Sequence, residues 1–195
     1  MSKKLLLSLC LLVLGLKNLI ILAGPISETP MTQSTTLQKA TFGAGCFWGV
    51  EYNFRRVPGV VEAFSGYSGG KSANPTYRQV CNGDTFHAEV VEVTFDPQKV
   101  SYVKLVEFFF KMHDPTQLNR QGPDYGTQYR SVIFVHSEEQ RKVAQEVVKK
   151  LILDKKYSQP IVTVIEDAKP FWKAEEYHQK YFEKNGGPTC HITDI

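Results

Sequence analysis

The sequence predicts an α+β domain with a ferredoxin-like core: a two-layer sandwich in which helices cover one mixed sheet and long ordered loops join the elements. Two observations support this fold class. Alternating segments and segments with helical spacing follow one another in the order β-α-β-β-α-β, and then as α-β-α. The chain has 195 residues, 42% of them hydrophobic, which is enough for one domain with its own core.

The first half of the domain is predicted from alternation and from glycine and proline breaks. A short strand at residues 37–45 ends in glycines, and a helix follows at residues 47–57 until a Pro-Gly pair ends it. Alternating residues then predict strands at 60–67 and 87–95. Between these two strands, the segment 68–77 is rich in glycine and serine, so we expect a loop there.

The middle of the domain is predicted to hold a helix, a long loop and a strand. Ser101 can cap a helix over residues 102–113, whose apolar positions have helical spacing. Residues 114–129 are polar and contain glycine and proline, so they predict a long loop before the strand at 130–136. Long ordered loops in compact domains are usually functional, so this loop is expected to contribute to a site.

The last predicted elements are a long helix, a strand and a final helix. Ser137 and Gln140 form a capping-box pattern at the start of a helix over residues 138–153. Residues 160–167 are rich in β-branched side chains, which predicts a strand. Residues 173–185 predict a helix that ends at an asparagine and two glycines.

The N-terminal residues differ from the rest of the chain in composition. Two lysines precede an apolar run at residues 5–23, as in a secretory signal, and the 19 residues of this run are also close to the length of a membrane anchor. We therefore expect residues 1–23 to be a signal peptide or an anchor, and residues 24–38, rich in Ser, Thr and Pro, to be a flexible linker. The protein would then be exported, periplasmic or secreted; a cytosolic location is the third alternative.

Charge and cysteine count restrict the classes of function. The net charge is +3, and residues 1–23 contain three lysines and no acid, so the rest of the chain has a net charge of zero. The chain has no basic run with interleaved aromatics of the kind that suggests nucleic-acid binding. Of four cysteines, Cys10 lies in that segment, which leaves Cys46, Cys81 and Cys190. Three cannot all form structural disulfides with one another, so at least one is redox-active or free. No CxxC or paired-histidine spacing predicts a metal site, and we expect no cofactor.

Cys46 has the sequence context of a reactive cysteine. It follows a predicted strand and a glycine turn, and it precedes a predicted helix in the segment GAGCFWGVEY. A helix N-terminus favours an anion, which lowers the pKa of a thiol there and increases its thiolate fraction. Gly43 and Gly45 would let the backbone turn tightly and leave room for a substrate. The alternative is that Cys46 is a small buried apolar side chain.

Glu89 is a candidate acid. Counting by twos along residues 87–95 places Glu89 with Val91 and Val93 on the more apolar face of the strand. A carboxyl group held among apolar side chains has a raised pKa and can stay protonated as a general acid. The alternative is that Glu89 lies at the strand edge and is solvated.

Six motifs together resemble those of the methionine sulfoxide reductase A family, in order and over residues 39 to about 185. They are GCFWG (45–49), SGYSGG (65–70), NPTY (74–77), HAEVVEV (87–93), LNRQGPDYGTQYRS (118–131) and AEEYHQKY (174–181). The resemblance implies a catalytic domain at 39–185 that reduces methionine S-sulfoxide, free or in proteins, with thiols. It implies these roles: Cys46 as nucleophile, Glu89 as acid, Tyr77 and Tyr129 as hydrogen-bond donors to the sulfoxide oxygen, Asp124 in the polar network, and Phe47 and Trp48 around the substrate methyl group.

The family also suggests how the enzyme is regenerated. Reduction leaves a sulfenic acid on Cys46, with which a second thiol can condense. Cys190, in a glycine-rich tail at 186–195, resembles the family's resolving cysteine, and Cys81 is the second candidate, otherwise expected to be packed or a spectator. The implied reductant is thioredoxin or a thioredoxin-like protein, and we expect a monomer. Two departures are a tail with one cysteine and Phe86, which stands where the family has a small residue.

Two other classes of function remain as alternatives. One is a thiol hydrolase or acyltransferase, in which Cys46 would pair with a histidine base. The other is an exported binding module whose site has decayed. The presence of Cys46, Glu89, Tyr77 and Tyr129 together favours the reductase over both.

Overall fold

A computed structural model describes residues 36–186 of the chain. The expected signal or anchor at 1–23, most of the linker at 24–38, and Cys190 with the rest of the tail lie outside the described residues. Within them, no helix is long and apolar enough to cross a bilayer. The first strand begins at Gln38, one residue inside the expected linker.

The described elements follow the predicted order with additions. The strands are β1 Gln38–Ala44, β2 Val60–Ser68, β3 Ala88–Phe95, β4 Arg120–Gln121, β5 Asp124–Tyr125, β6 Ser131–Val135, β7 Val164–Asp167 and β8 Trp172–Lys173. The helices are α1 Phe47–Arg55, α2 Tyr77–Cys81, α3 Tyr102–Met112, α4 Glu138–Leu153 and α5 Tyr181–Asn185, with a 3₁₀ turn at Thr127–Tyr129.

Six strands form one mixed sheet in the order β7-β6-β1-β3-β2-β8. β1 pairs antiparallel with both β3 and β6, and β3 pairs antiparallel with β2. β7 adds a parallel edge beside β6. The four central strands, with α1 and α3 as connections, therefore have the split βαβ arrangement predicted for the first six elements, and the predicted fold class is confirmed.

The main core lies between the sheet and its helices. Phe42 of β1 contributes to it at the centre of the sheet, and its ring stacks on Phe54 of α1 at 4.8 Å and on Phe109 of α3 at 5.3 Å. Strand alternation places every second side chain of β1, β3 and β6 in this layer. The opposite face has a smaller cluster around Val90 and Phe134. The helices thus stack on one face, which also receives Glu89.

The final predicted helix is largely wrong. Of residues 173–185, only the last five are helical, as α5, and Trp172–Lys173 instead form β8 beside β2. The amide side chain of Gln179 accepts a hydrogen bond from Ser65 N and donates to Ser65 O, so a side chain supplies strand-like partners to β2. Lys180 has a left-handed φ of 56°, which prevents an earlier start of the helix.

Three other local predictions are corrected. α2 forms where a loop was expected to end, because Thr76 and Gln79 form a reciprocal capping box. β7 is shorter than predicted, since the backbone N–H of Val162 donates to Pro115 O instead of pairing in the sheet. Ser101 occupies the N-cap position of α3 without a side-chain cap hydrogen bond, whereas Ser137 does cap α4 by accepting from Gln140 N.

The long loop before β6 is ordered by its own polar side chains. Gln121 bridges to the backbone of Asp114 through two hydrogen bonds, accepting from its N–H and donating to its carbonyl. Gln117 accepts a hydrogen bond from Gly122 N at the turn between β4 and β5. The hairpin holds Asp124, and the 3₁₀ turn that follows it holds Tyr129.

Candidate active site

Cys46 lies in the turn between β1 and α1. Gly45 has a left-handed φ of 91°, which a glycine adopts without steric cost, and Cys46 then occupies the N-cap position of α1. The carbonyl of Cys46 accepts a hydrogen bond from Val50 N, which closes the first helical turn. No acidic residue occupies that turn. Cys46 is only partly buried, so the helix N-terminus can stabilise a thiolate within reach of solvent.

Gly43 has a different role from the expected one. A Cβ atom at this position would lie 2.8 Å from Val132 Cγ1 and 3.0 Å from the carbonyl oxygen of Glu89. Gly43 therefore lets β1 approach its neighbouring strands closely where Glu89 is held, and the turn itself depends on Gly45.

Glu89 is buried on the helix-covered face of β3, with 1% of its surface exposed. Its Oε2 accepts a hydrogen bond from Phe47 N at 3.0 Å, the first backbone N–H after Cys46. Burial raises the pKa of Glu89 to about 8; the Phe47 hydrogen bond opposes this effect and the negative charge of Asp124 adds to it. The solvated alternative is wrong, and a carboxyl group that is largely protonated at neutral pH adjoins the cysteine turn.

Tyr77 and Tyr129 come from different elements and share Glu89 as an electrostatic neighbour. Tyr77 begins α2, and Tyr129 ends the 3₁₀ turn after the β4–β5 hairpin. Burial first, and the charge of Glu89 in addition, raise the pKa of both phenols above the ordinary value. The charge of Cys46 acts on Tyr129 as well. Both hydroxyl groups therefore remain protonated at neutral pH and can donate hydrogen bonds.

Phe47 and Trp48 form an aromatic wall at the start of α1. Phe47 is buried, and its ring centroid lies 5.0 Å from that of His178 and 6.4 Å from that of Tyr77. Trp48 is partly exposed; its indole stacks on Tyr181 at 3.7 Å with an interplanar angle of 5°. The indole N–H donates to His178 Nδ1 at 2.9 Å. The wall is therefore held in place by the segment 174–181.

Three residues of the segment 174–181 adjoin the site and had no predicted role. Glu175 accepts hydrogen bonds from the Tyr67 hydroxyl and from Tyr77 N, and His178 and Tyr181 contact Trp48. The motif AEEYHQKY carried the signal, since polar and aromatic side chains are dense in it. A helix was predicted there, so the sequence alone could not show which of these side chains turn toward the site.

Cys81 is exposed at the C-terminal end of α2 rather than packed. Partial burial raises the pKa of Cys81 above its ordinary value, although a hydrogen bond with the Tyr77 side chain opposes this effect. The charge of Cys81 also acts on Tyr129, so this thiol borders the candidate site. Cys190 lies outside the described residues, and its expected role stays a prediction.

Phe86 lies just before β3 and has a left-handed φ of 59°. This conformation favours glycine, which accounts for the small residue expected here. The ring is half exposed, and Lys71 Nζ lies 4.2 Å from its centroid, so a cation–π contact accompanies the strained backbone.

Among residues 36–186, no three metal-binding side chains come together as a metal site requires.

Comparisons with known proteins agree with this geometry. The family model described as "Peptide methionine sulfoxide reductase" matches residues 38–194. The curated protein "Peptide methionine sulfoxide reductase MsrA" of Acidobacterium capsulatum is 60% identical over 156 residues, which are 80% of this chain and 100% of the relative. Its namesake in Geobacter sulfurreducens is 58% identical over 160 residues, 82% of this chain and 99% of the relative.

Solved structures of similar proteins have the same fold. Mxr1 from Saccharomyces cerevisiae in reduced form has a TM-score of 0.76 and 39% identity, covering 82% of this chain and 93% of that one. Methionine sulfoxide reductase A of Corynebacterium diphtheriae has a TM-score of 0.68 and 35% identity, covering 84% and 85%. Mxr1 in complex with Trx2 has a TM-score of 0.56 and 28% identity, covering 85% and 95%.

Proposed function

The chain belongs to the peptide methionine sulfoxide reductase family, and we propose that Cys46 and Glu89 perform its first chemical step. The protein is a peptide-methionine (S)-S-oxide reductase: it uses thiols to reduce methionine S-sulfoxide, free or in proteins, and so repairs oxidised proteins. The observation that carries the proposed roles is the hydrogen bond between Glu89 and Phe47 N, which puts a protonated carboxyl beside the cysteine turn.

The first step transfers oxygen from methionine to the enzyme. The thiolate of Cys46 attacks the sulfoxide sulfur while Glu89 gives a proton to the oxygen, which is a poor leaving group until it is protonated. The S–S bond formed by this attack then breaks as the OH group passes to the Cys46 sulfur, which releases the thioether and leaves a sulfenic acid on Cys46. The cysteine sulfur is thereby oxidised by two electrons and the sulfoxide sulfur is reduced by two. Asp124 supports this step, because its negative charge raises the pKa of Glu89.

The remaining site residues bind the substrate. Tyr77 and Tyr129 donate hydrogen bonds to the sulfoxide oxygen, since their raised pKa values keep both phenols protonated. Phe47 and Trp48 supply the apolar surface for the substrate methyl group, with Trp48 held between Tyr181 and His178. Such a wall leaves the methyl group little freedom and favours attack from one side of the sulfur.

The second half of the cycle regenerates Cys46. Cys190 condenses with the sulfenic acid, releasing water and forming a disulfide that thioredoxin or a thioredoxin-like protein then reduces. This choice of reductant is supported by the yeast relative Mxr1, which was solved in complex with Trx2. Cys81 is the alternative resolving thiol, because its hydrogen bond with the Tyr77 side chain places it beside the site.

The proposal extends to the organisation of the protein. The proposed functional unit is a monomer. The apolar run at residues 5–23 supports export, with residues 1–23 as signal or anchor, 24–38 as linker, 39–185 as catalytic domain and 186–195 as tail. Fractionation of cells expressing the full chain, with N-terminal sequencing of the product, tests both location and cleavage.

Activity toward resolved epimers tests the proposed step. With dithiothreitol as reductant, the wild-type protein should reduce the S epimer of a methionine sulfoxide peptide and leave the R epimer unchanged. A thioester substrate, supplied in parallel, tests the hydrolase alternative. His178 argues against that alternative, because its Nδ1 already accepts the Trp48 N–H. Thioester cleavage without sulfoxide reduction would overturn the proposed function.

Replacement of the tail cysteine tests regeneration. Cys190→Ser should keep the first turnover and lose the later ones when thioredoxin is the reductant, while dithiothreitol should restore part of the rate. Mass spectrometry after one equivalent of sulfoxide should then detect a Cys46–Cys190 disulfide in the wild type. A Cys46–Cys81 disulfide instead would assign the resolving role to Cys81.

A further inference from the structure

Glu175 contacts the backbone of Tyr77 and lies near His178, the histidine that accepts the Trp48 N–H. We infer that Glu175 is a positioning residue for Tyr77 and Trp48. It lies in the segment 174–181, between β8 and α5. Its Oε1 accepts a hydrogen bond from Tyr77 N at 2.8 Å, and its Oε2 accepts one from the Tyr67 hydroxyl at 2.8 Å. The inference rests on the proposed roles of Tyr77 and Trp48.

The bond to Tyr77 controls where the phenol points. Tyr77 is the first residue of α2, a helix of five residues, so its backbone direction depends on contacts outside the helix. Glu175 supplies such a contact at the backbone, and the Tyr77 ring rests on His178 at 4.4 Å. The hydroxyl is at the far end of the ring, where a small backbone rotation becomes a large displacement. A displacement of about 1 Å can cost about 10²-fold in rate.

The second connection runs through His178. Burial lowers the pKa of His178, so the imidazole is neutral. Since Nδ1 accepts the Trp48 N–H, the hydrogen-bond network assigns the proton to Nε2. Among the described residues, Nε2 is buried without a hydrogen-bond partner, and Glu175 Oε2 lies 3.9 Å from it. The carboxylate charge thus attracts the N–H of the ring that holds Trp48.

The carboxyl group of Glu175 is ionised, as these contacts require. Partial burial raises its pKa, but hydrogen bonds from Tyr77 N and from the Tyr67 hydroxyl outweigh burial, and the pKa lies below the ordinary value. The carboxylate accepts hydrogen bonds from Tyr77 N and from the Tyr67 hydroxyl, and it faces the Nε2–H group of His178. An amide of the same shape would keep one acceptor atom and lose the charge.

Another residue already anchors the segment, which separates positioning from simple support. Gln179 makes three hydrogen bonds, accepting from Ser65 N and donating to Ser65 O and to Ala174 O. Its bonds tie the segment to β2 without touching Tyr77 or Trp48. Glu175 instead accepts hydrogen bonds from Tyr77 N and from the Tyr67 hydroxyl. Replacing Glu175 should therefore disturb the site more than it weakens the attachment of the segment to β2.

A double-mutant cycle tests the link to Tyr77. The peptide assay with dithiothreitol gives kcat and KM for Glu175→Gln, Tyr77→Phe and the double variant. We expect Glu175→Gln to lower kcat by roughly 10- to 100-fold, and Glu175→Ala to lower it further. In the Tyr77→Phe background the same substitution should lower kcat by less than about 2-fold, because the hydroxyl it positions is gone.

Glu176→Gln is the matched control. Glu176 is the neighbouring residue, exposed and paired with Lys184, so the same change of charge should leave kcat and the melting temperature unchanged. Melting temperatures of all variants separate loss of fold from loss of position. If the losses from Glu175→Gln and Tyr77→Phe multiply in the double variant, Glu175 does not act through Tyr77. If Tyr77→Phe keeps the wild-type kcat, the proposed role of Tyr77 fails, whereas Cys46 and Glu89 are untouched by that result.

Fluorescence tests the link to Trp48. The chain has two tryptophans, Trp48 and Trp172, so a Trp172→Phe background reports Trp48 alone. Glu175→Gln in this background should shift the emission of Trp48, because its His178 contact loosens, and should raise KM several-fold. Unchanged emission and KM would overturn the Trp48 part of the inference.

Discussion

Two buried glutamates of the same domain have similar surroundings and different positions. Glu89 on β3 and Glu51 on α1 are each 1% exposed, and burial raises the pKa of both. Each also accepts a hydrogen bond from a backbone N–H, Glu89 from Phe47 and Glu51 from Lys180. From burial and pKa direction alone, either could be a general acid.

Their neighbours distinguish them. Glu89 adjoins the cysteine turn, and the charge of Asp124 acts on it. The charge of Glu89 in turn helps to raise the pKa of Tyr77 and of Tyr129. Glu51 accepts from the Ser65 hydroxyl at 3.1 Å and from Lys180 N at 2.9 Å, so it joins α1 to β2 and to the residue before α5. A raised carboxyl pKa therefore identifies a candidate acid, and the groups that face the carboxyl determine whether it has a chemical or a structural role.

The change with the greatest predicted effect removes Cys46, the proposed nucleophile beside Glu89. Cys46→Ser should abolish sulfoxide reduction, because a hydroxyl does not supply an equivalent nucleophile. The melting temperature should stay near that of the wild type, since the residue is small and partly exposed. Peptide reduction followed by chromatography measures the first effect and circular dichroism the second. Turnover at the wild-type rate would contradict the mechanism.

The next largest effect separates the two glutamates directly. Glu89→Gln should lower kcat by about 10²- to 10⁴-fold with little change in KM, because an amide keeps the shape but cannot give a proton. Glu51→Gln is the matched control, and it should keep kcat within about 3-fold of the wild type. Equal losses in both variants would mean that burial of a carboxyl, and not its place beside Cys46, determines the rate.

The pH dependence of the rate should follow Glu89. Its pKa of about 8 leaves the carboxyl protonated at neutral pH, so kcat should fall as pH rises above about 8. The rate of Glu89→Gln should lack this decline. Rates measured between pH 6 and 10 with a reductant in excess test this, and an unchanged decline in the variant would assign it to another group.

The free energy of unfolding should also depend on pH through Glu89. The folded pKa of Glu89 lies above the ordinary value of 4.5, so its contribution is fully present below about pH 4.5 and is lost as pH rises through about 8. Each pKa unit corresponds to about 1.4 kcal/mol, which makes the loss several kcal/mol at most. Glu89→Gln should therefore lose less free energy of unfolding than the wild type between pH 5 and 9, as urea unfolding at each pH would measure.

Activity should change least when Glu51 is replaced. Glu51→Ala leaves the Ser65 hydroxyl and Lys180 N–H without their buried acceptor, which should lower the free energy of unfolding by about 1–3 kcal/mol. Activity should fall only modestly, through a looser α5 and a higher KM. A loss of kcat comparable to that of Glu89→Gln would show that the two regions are not separate.

Local patterns in the sequence were enough for most elements of the fold. Alternation predicted β1, β2 and β3 because one face of each strand must be apolar to cover the core, and the capping residues of α4 satisfy local backbone groups. The turn at Cys46 could be anticipated for the same reason, since Gly45 and the helix that follows are consecutive in sequence.

Neighbouring residues in the chain were thus sufficient to predict the family, the order of the main elements, the cysteine at a helix start and a glutamate on an apolar face. That Glu89 is largely protonated beside Phe47 N, and that Glu51 is not its equivalent, could be learned only from the folded arrangement. The tertiary structure also shows that residues 174–180 are not helical, since α5 begins only at Tyr181. These outcomes depend on contacts between residues more than 40 positions apart, where burial and hydrogen bonding to β2 outweigh local helix propensity.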